Sequence, residues 1–182
     1  MLLPQEKLYT IEDYWKLAKE DQCIELLDGH IYYMAPPSRL HQKISSNLVT
    51  DINIYIRSNH GSCEVYAAPF AVQLKENENT IVEPDISVIC DPNKLNNRGC
   101  IGAPDWIIEI VSPSNSSHDY VLKLNKYLTA GVREYWIVDP LDYSIHVYQF
   151  NEETIRLSSY SFHDTVKVGI YKDLSINFSR FL

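Results

Sequence analysis

Ile81-Val82-Glu83-Pro84-Asp85-Ile86-Ser87-Val88-Ile89-Cys90, Trp106-Ile107-Ile108-Glu109-Ile110-Val111 and Glu134-Tyr135-Trp136-Ile137-Val138-Asp139 are the three segments whose reading decides the fold. Each is rich in β-branched and aromatic residues and bounded by turn formers, so each reads as a strand. Two carry a carboxylate where a core strand should carry none. Asp85 follows Pro84 inside the first run, and Glu109 has Ile on both sides. An unpaired buried carboxylate costs several kcal/mol or more, so each must be neutral, paired or bound to a cation. Between the second and third strands, a helix over about 119–130 closes at Gly131. Strand, helix, strand across 106–138 predicts a right-handed parallel crossover.

Working outward, Thr10 and Asp13 form a variant capping box before a short amphipathic helix over 11–19. Cys23 to Leu27 and His30 to Ala35 read as strands joined by Asp28-Gly29, a strong two-residue hairpin turn. Leu40, Ile44, Leu48, Ile52 and Ile56 recur every four residues and predict a long helix over 39–58, with His41 in its first turn. Further strands are expected near Cys63–Ala67 and Phe70–Leu74, and residues 91–104 read as an irregular loop. In the 119–130 helix, Val121, Leu124 and Leu128 are expected to pack on one side, with Lys123, Tyr127 and Ala130 on another. The alternating tail, as in Val166-Lys167-Val168 and Ser175-Ile176-Asn177-Phe178, predicts edge strands.

The 182 residues, 45% of them hydrophobic, suit one α/β domain spanning 1–182, with a central mixed sheet flanked by helices. No apolar run reaches the roughly 20 residues that cross a bilayer. The first seven residues lack a secretion-signal pattern. Cys23, Cys63, Cys90 and Cys100 show no CxxC spacing, which argues against a zinc site and suggests reduced thiols in a cytoplasmic protein. A net charge of −8 disfavours a protein that coats nucleic acid electrostatically. It leaves open an enzyme whose positive field comes from bound metal and a local basic patch.

If the Asp85 and Glu109 strands are neighbours, their alternation lets the two carboxylates converge, with Glu83, Asp85 and Ser87 on one strand face. Two carboxylates with water and backbone oxygen suit Mg²⁺ or Mn²⁺. Lys123 then stands near enough in sequence to orient a water or offset phosphate charge. Taken singly, each residue has an ordinary structural reading: a strand entry, a paired acid, a solvated lysine. Ser112, Ser114, Ser116 and Ser117 lack the GxSxG elbow of a serine hydrolase.

Taken in order, the segments resemble the PD-(D/E)XK nuclease superfamily, and more closely its Uma family of restriction-endonuclease-like proteins. The resemblance rests on Glu25-Leu26-Leu27-Asp28-Gly29, Pro36-Pro37-Ser38 before His41, Ala68-Pro69-Phe70, and Glu83-Pro84-Asp85-Ile86-Ser87-Val88. It is densest in Gly102-Ala103-Pro104-Asp105, Glu109-Ile110-Val111-Ser112-Pro113-Ser114, Asp119 with Lys123 and Tyr127, and Ala130-Gly131-Val132-Arg133-Glu134-Tyr135-Trp136. It implies a restriction-endonuclease-like core, DNA as substrate, and Asp85 and Glu109 as ligands of Mg²⁺ or Mn²⁺. It also implies Lys123 as the catalytic lysine and a homodimer. The superfamily places its lysine two residues after the glutamate, and Val111 stands there. Lys123 can replace it only if its helix packs beside the Glu109 strand; Lys126 turns well around that helix. Glu25 and His41 match family positions with no role assigned from chemistry. The absent lysine and the −8 charge also fit a different reading, a binding module on a nuclease scaffold without catalysis.

Overall fold

A computed structural model describes residues 7–20, 23–112, 117–151 and 154–182. Thr10 caps helix α1 (Ile11–Leu17) with both halves of the capping box formed to Asp13. Strands β1 (Ile24–Leu27) and β2 (His30–Tyr33) pair through the Asp28-Gly29 turn. Both turn residues adopt positive φ, 50° and 83°, the requirement of the tight hairpin type that Asp-Gly favours. Ser38 then caps helix α2 (Arg39–Ser58), accepting a hydrogen bond from the His41 backbone.

After α2 come β3 (Glu64–Ala67), β4 (Val72–Gln73), β5 (Ile81–Val82) and β6 (Ile86–Ile89). Next are β7 (Leu95–Asn96), β8 (Gly99–Ile101), β9 (Trp106–Ile110), α3 (Ser117–Ala130) and β10 (Glu134–Asp139). The chain ends with β11 (Ser144–Phe150), β12 (Ile155–Ser161), β13 (Thr165–Lys167) and β14 (Ser175–Asn177). One sheet runs β12-β11-β10-β9-β6-β3, and a second runs β2-β1-β5-β4-β8-β7. The first sheet is mixed: β9 and β10 are parallel across α3, as the crossover pattern requires, and its other neighbours are antiparallel.

Alternation sorts the first sheet's core onto two faces. Trp106, Ile108, Trp136 and Val138 point to one side, under Ile44, Leu48, Ile52 and Ile56 of α2. Ile107, Tyr135 and Ile137 point to the other, where Tyr127 of α3 packs. At about 1.5–3 kcal/mol per fully buried large apolar side chain, these two layers are the main favourable term holding the helices on the sheet.

Five expectations are corrected. Residues 81–90 do not form one strand. Pro84 offers no N–H to a ladder, so the run breaks at Glu83–Asp85, and its halves join different sheets as β5 and β6. Glu83 and Asp85 therefore do not share a strand face with Ser87. Of the tail, β12 edges the first sheet as expected, but the alternating segments around 166–168 and 175–178 extend neither large sheet. Instead β13 and β14 pair with each other, and Val166, Val168, Ile176 and Phe178 close over the α2 side of the core. Val121 is 66% exposed, and α3 instead turns Lys123 and Tyr127 inward. Cys63 and Cys90 are joined by a disulfide rather than held as thiols. The antiparallel pairing of β3 with β6 explains this: Glu64 opposes Ile89, so the next step outward sets Cys63 against Cys90. The 91–104 loop contains β7 and β8, while residues 113–116 of the serine-rich loop lie outside the described residues.

Candidate active site

The acids meet at the seam between the two sheets. In the β6–β9 register Ile86 opposes Ile108, so one step further sets Asp85 opposite Glu109. Asp85 sits at the kink left by Pro84, and its Oδ2 accepts a 2.7 Å hydrogen bond from the Ile110 backbone, a side chain replacing the next rung of the ladder. Its Oδ1 lies 3.1 Å from His41 Nε2. His41 is 6% exposed, held in the first turn of α2 above the Ser38 cap. His41 and Asp85 thus form a pair contributed by a helix and a strand junction.

Glu109 is 5% exposed and Lys123 is 6% exposed. Lys123 Nζ donates to Glu109 Oε1 at 3.0 Å and to Glu25 Oε1 at 2.8 Å. One ammonium therefore ties β9 of the first sheet to β1 of the second. Tyr127, one helical turn after Lys123, donates to the same Glu109 oxygen at 2.6 Å. Glu25 Oε1 also accepts from the Glu83 backbone at 2.9 Å, and the Tyr14 hydroxyl donates to Glu83 Oε1 at 2.8 Å. Lys126 faces outward by comparison and pairs with Asp28.

Charge is crowded here. Burial pushes Glu109 up to about 7 despite the pull of Lys123, with Asp85 and Glu25 adding to the rise. Burial alone would lower Lys123, but the Glu109 and Glu25 carboxylates outweigh it and raise it, so the ammonium stays charged. Burial raises Glu83 as well. Four carboxyl groups, on Glu25, Glu83, Asp85 and Glu109, thus gather around one ammonium and one imidazole. The excess of negative charge and the hard oxygen donors fit a divalent cation. Among the described residues, no group of three or more His, Cys, Asp or Glu side chains is already gathered at ligand range.

The structure brings Asp85, Glu109 and Lys123 together, and it gives Glu25 and His41 direct partners within the same constellation. Sequence reasoning missed Tyr127 as a support and Tyr14 as the partner of Glu83. Glu25 was detectable on the grounds that singled out Glu109: it is a carboxylate flanked by Ile24 and Leu26 in a strand, here buried at all four positions. Lys123 and Tyr127, spaced i and i+4, share one helix face with polar tips. A cavity of about 170 Å³ opens beside the acids, lined by Asp85, Glu83, His41, Met34, Pro37 and Pro69 among others. A larger hollow of about 500 Å³ near Trp15 and Lys19 does not include these acids.

A mixed sheet with helices on both faces and acids at the junction of its strands defines a restriction-endonuclease-like α+β protein. The chain matches the model of the Uma2 family, described as "Putative restriction endonuclease", over residues 11–179, and it belongs to that family. It is 30% identical over 133 residues to the uncharacterized protein slr1290 of Synechocystis sp., covering 71% of this chain and 67% of that one. Its fold is similar to a crystal structure from Anabaena variabilis described as a "putative nuclease belonging to DUF820". The TM-score is 0.78 at 22% identity, over 94% of this chain and 96% of that one. No described helix is long and apolar enough to cross a membrane.

Proposed function

We propose that the protein is a divalent-metal-dependent endonuclease that hydrolyses phosphodiester bonds in DNA. The observation that carries this reading is the convergence of Asp85 and Glu109 with a buried lysine supplied by α3, in a chain whose Val111 stands where the superfamily has its lysine. Asp85 and Glu109 would hold Mg²⁺ or Mn²⁺, with water and backbone oxygen completing the shell. When bound, such an ion polarises a phosphate oxygen and makes a water more acidic.

The chain's own residues do the rest. The Ile110 backbone and His41 fix both oxygens of Asp85, so that its remaining lone pairs point in set directions. Tyr127 and Lys123 both land on Oε1 of Glu109, which favours ligation through the other oxygen. Lys123 places a permanent positive charge at the floor, where negative charge grows on a phosphate in the transition state. Glu25 keeps that ammonium in place from the second sheet. A homodimer would present two such sites.

The test is cleavage of supercoiled plasmid in Mg²⁺ or Mn²⁺ by the wild type and Asp85→Ala. Metal-dependent nicking lost in the variant supports the reading; equal nicking by both discards this site. Retained nucleic-acid binding without turnover in either metal would favour the non-catalytic binding module.

A further inference from the structure

We propose that the cavity beside Asp85 holds one unpaired nucleotide, so that the enzyme acts on single-stranded, bulged or mispaired DNA in preference to intact duplex. This rests on the nuclease reading and narrows its substrate. Three observations carry it.

The first is depth. Within the cavity, His41 is 6% exposed and the Asp85 side chain 19% exposed, while Glu109 and Lys123 are buried behind its lining, so a phosphate must enter the recess to reach Asp85. The phosphates of a paired helix sit on a stiff rod and cannot follow a narrow recess, whereas a nucleotide freed from its stack can. The second is size. At about 170 Å³ the cavity falls below the roughly 300–1,000 Å³ of pockets that take drug-sized ligands, so it has room for one ring system rather than a base pair.

The third is the division of its walls. Met34, Ala35, Pro37, Ala67, Ala68 and Pro69 line it with mostly exposed apolar surface, and the less exposed Glu83, Asp85 and His41 lie on the same cavity. The described lining residues include no Lys or Arg. A surface built to track duplex phosphates would be lined with cations. Here the apolar rim suits the face of a base, the polar floor suits a phosphate carried by the metal ion, and the −8 charge ceases to be an obstacle.

The experiment compares one labelled strand presented three ways: alone, in a perfect duplex, and in a duplex with a short mismatch bubble. Opening a duplex costs a few kcal/mol, so single strand and bubble should be cut in Mn²⁺ about tenfold faster than duplex or more, with bubble cuts at unpaired positions. Ala35→Trp, which fills the cavity from an exposed rim position, should erase that preference while leaving Mn²⁺ affinity by calorimetry unchanged. Equal or faster cutting of perfect duplex overturns the proposal and leaves the nuclease reading standing. If no DNA is cut at all, the nuclease reading falls. The pocket is then judged by fluorescence anisotropy in Ca²⁺: tighter binding of the single strand than of the duplex supports it, and equal binding overturns it.

Discussion

Glu109 and Glu134 are buried carboxylates on neighbouring strands, β9 and β10, yet they face opposite sides of one sheet. Glu134 is fully buried, and among the described residues its hydrogen-bond donors are all neutral N–H groups. Oε1 accepts from Trp136 Nε1 at 2.7 Å, and Oε2 accepts from the Gly169 and Ile170 backbones at 2.7 and 2.8 Å. It pins the turn before β14 to the sheet. Glu109 instead shares one oxygen between an ammonium and a phenol, beside a second acid and an open cavity. Burial alone does not distinguish a structural acid from a catalytic one. The kind of partner does: neutral donors that saturate both oxygens speak for architecture, and a crowd of charges at a recess speaks for chemistry.

Four measurements can break or sharpen that contrast. Glu109→Ala should lower metal-dependent cutting by about 10²–10³-fold, since a lost ligand forfeits several kcal/mol of transition-state stabilisation. Cutting at the wild-type rate by folded Glu109→Ala would place Glu109 with Glu134 as architecture. His41→Ala should weaken Mn²⁺ binding by about 10–100-fold, with partial recovery in His41→Gln, whose amide can still donate to Asp85. Identical calorimetric affinities in all three proteins would remove His41 from the site.

Glu134→Gln presents an amide NH₂ where an oxygen now accepts, leaving at least one donor facing another. It should cost about 1–3 kcal/mol in chemical denaturation while turnover per folded molecule stays the same. A fall in turnover without a fall in stability would reverse the assignment.

The smallest effect is in pH. Glu109 is raised in the fold, so the folded state holds its proton more tightly than the unfolded chain. The stability this gives is fully present below the ordinary glutamate range and is lost as pH rises through about 7. The metal-free protein should therefore lose up to about 1.4 kcal/mol per pH unit from this group, and Glu109→Gln should flatten the slope. Added Mn²⁺ should bind better as pH climbs through the same range, because ligation needs the ionised acid.

Much of this fold could be read from the chain alone. The four-residue repeat of α2, the Thr10–Asp13 box, the Asp28-Gly29 turn and the parallel crossover all follow from local rules, and all are present. The split of 81–90 between two sheets could not be read that way, because apolar content continues straight through Pro84. The reach of Lys123 to Glu25, across 98 positions of chain, has no local signature. Lys123 and Tyr127 were grouped on one side of α3, but α3 is apolar on more than one side, and Val121, which is exposed, disguises which face is inner. Glu134 escaped notice because it stands at the start of its strand, where a charged residue usually meets water. Of the site, the acids declared themselves by being out of place, and the lysine was reached through family resemblance.

Because Lys123 grips a carboxylate from each sheet, it is a rivet as well as a reagent. A cation that takes Glu109 by its other oxygen leaves that rivet in place but draws on the charge of the same carboxylate, so arming the site and fastening the seam are coupled across the two halves of the molecule.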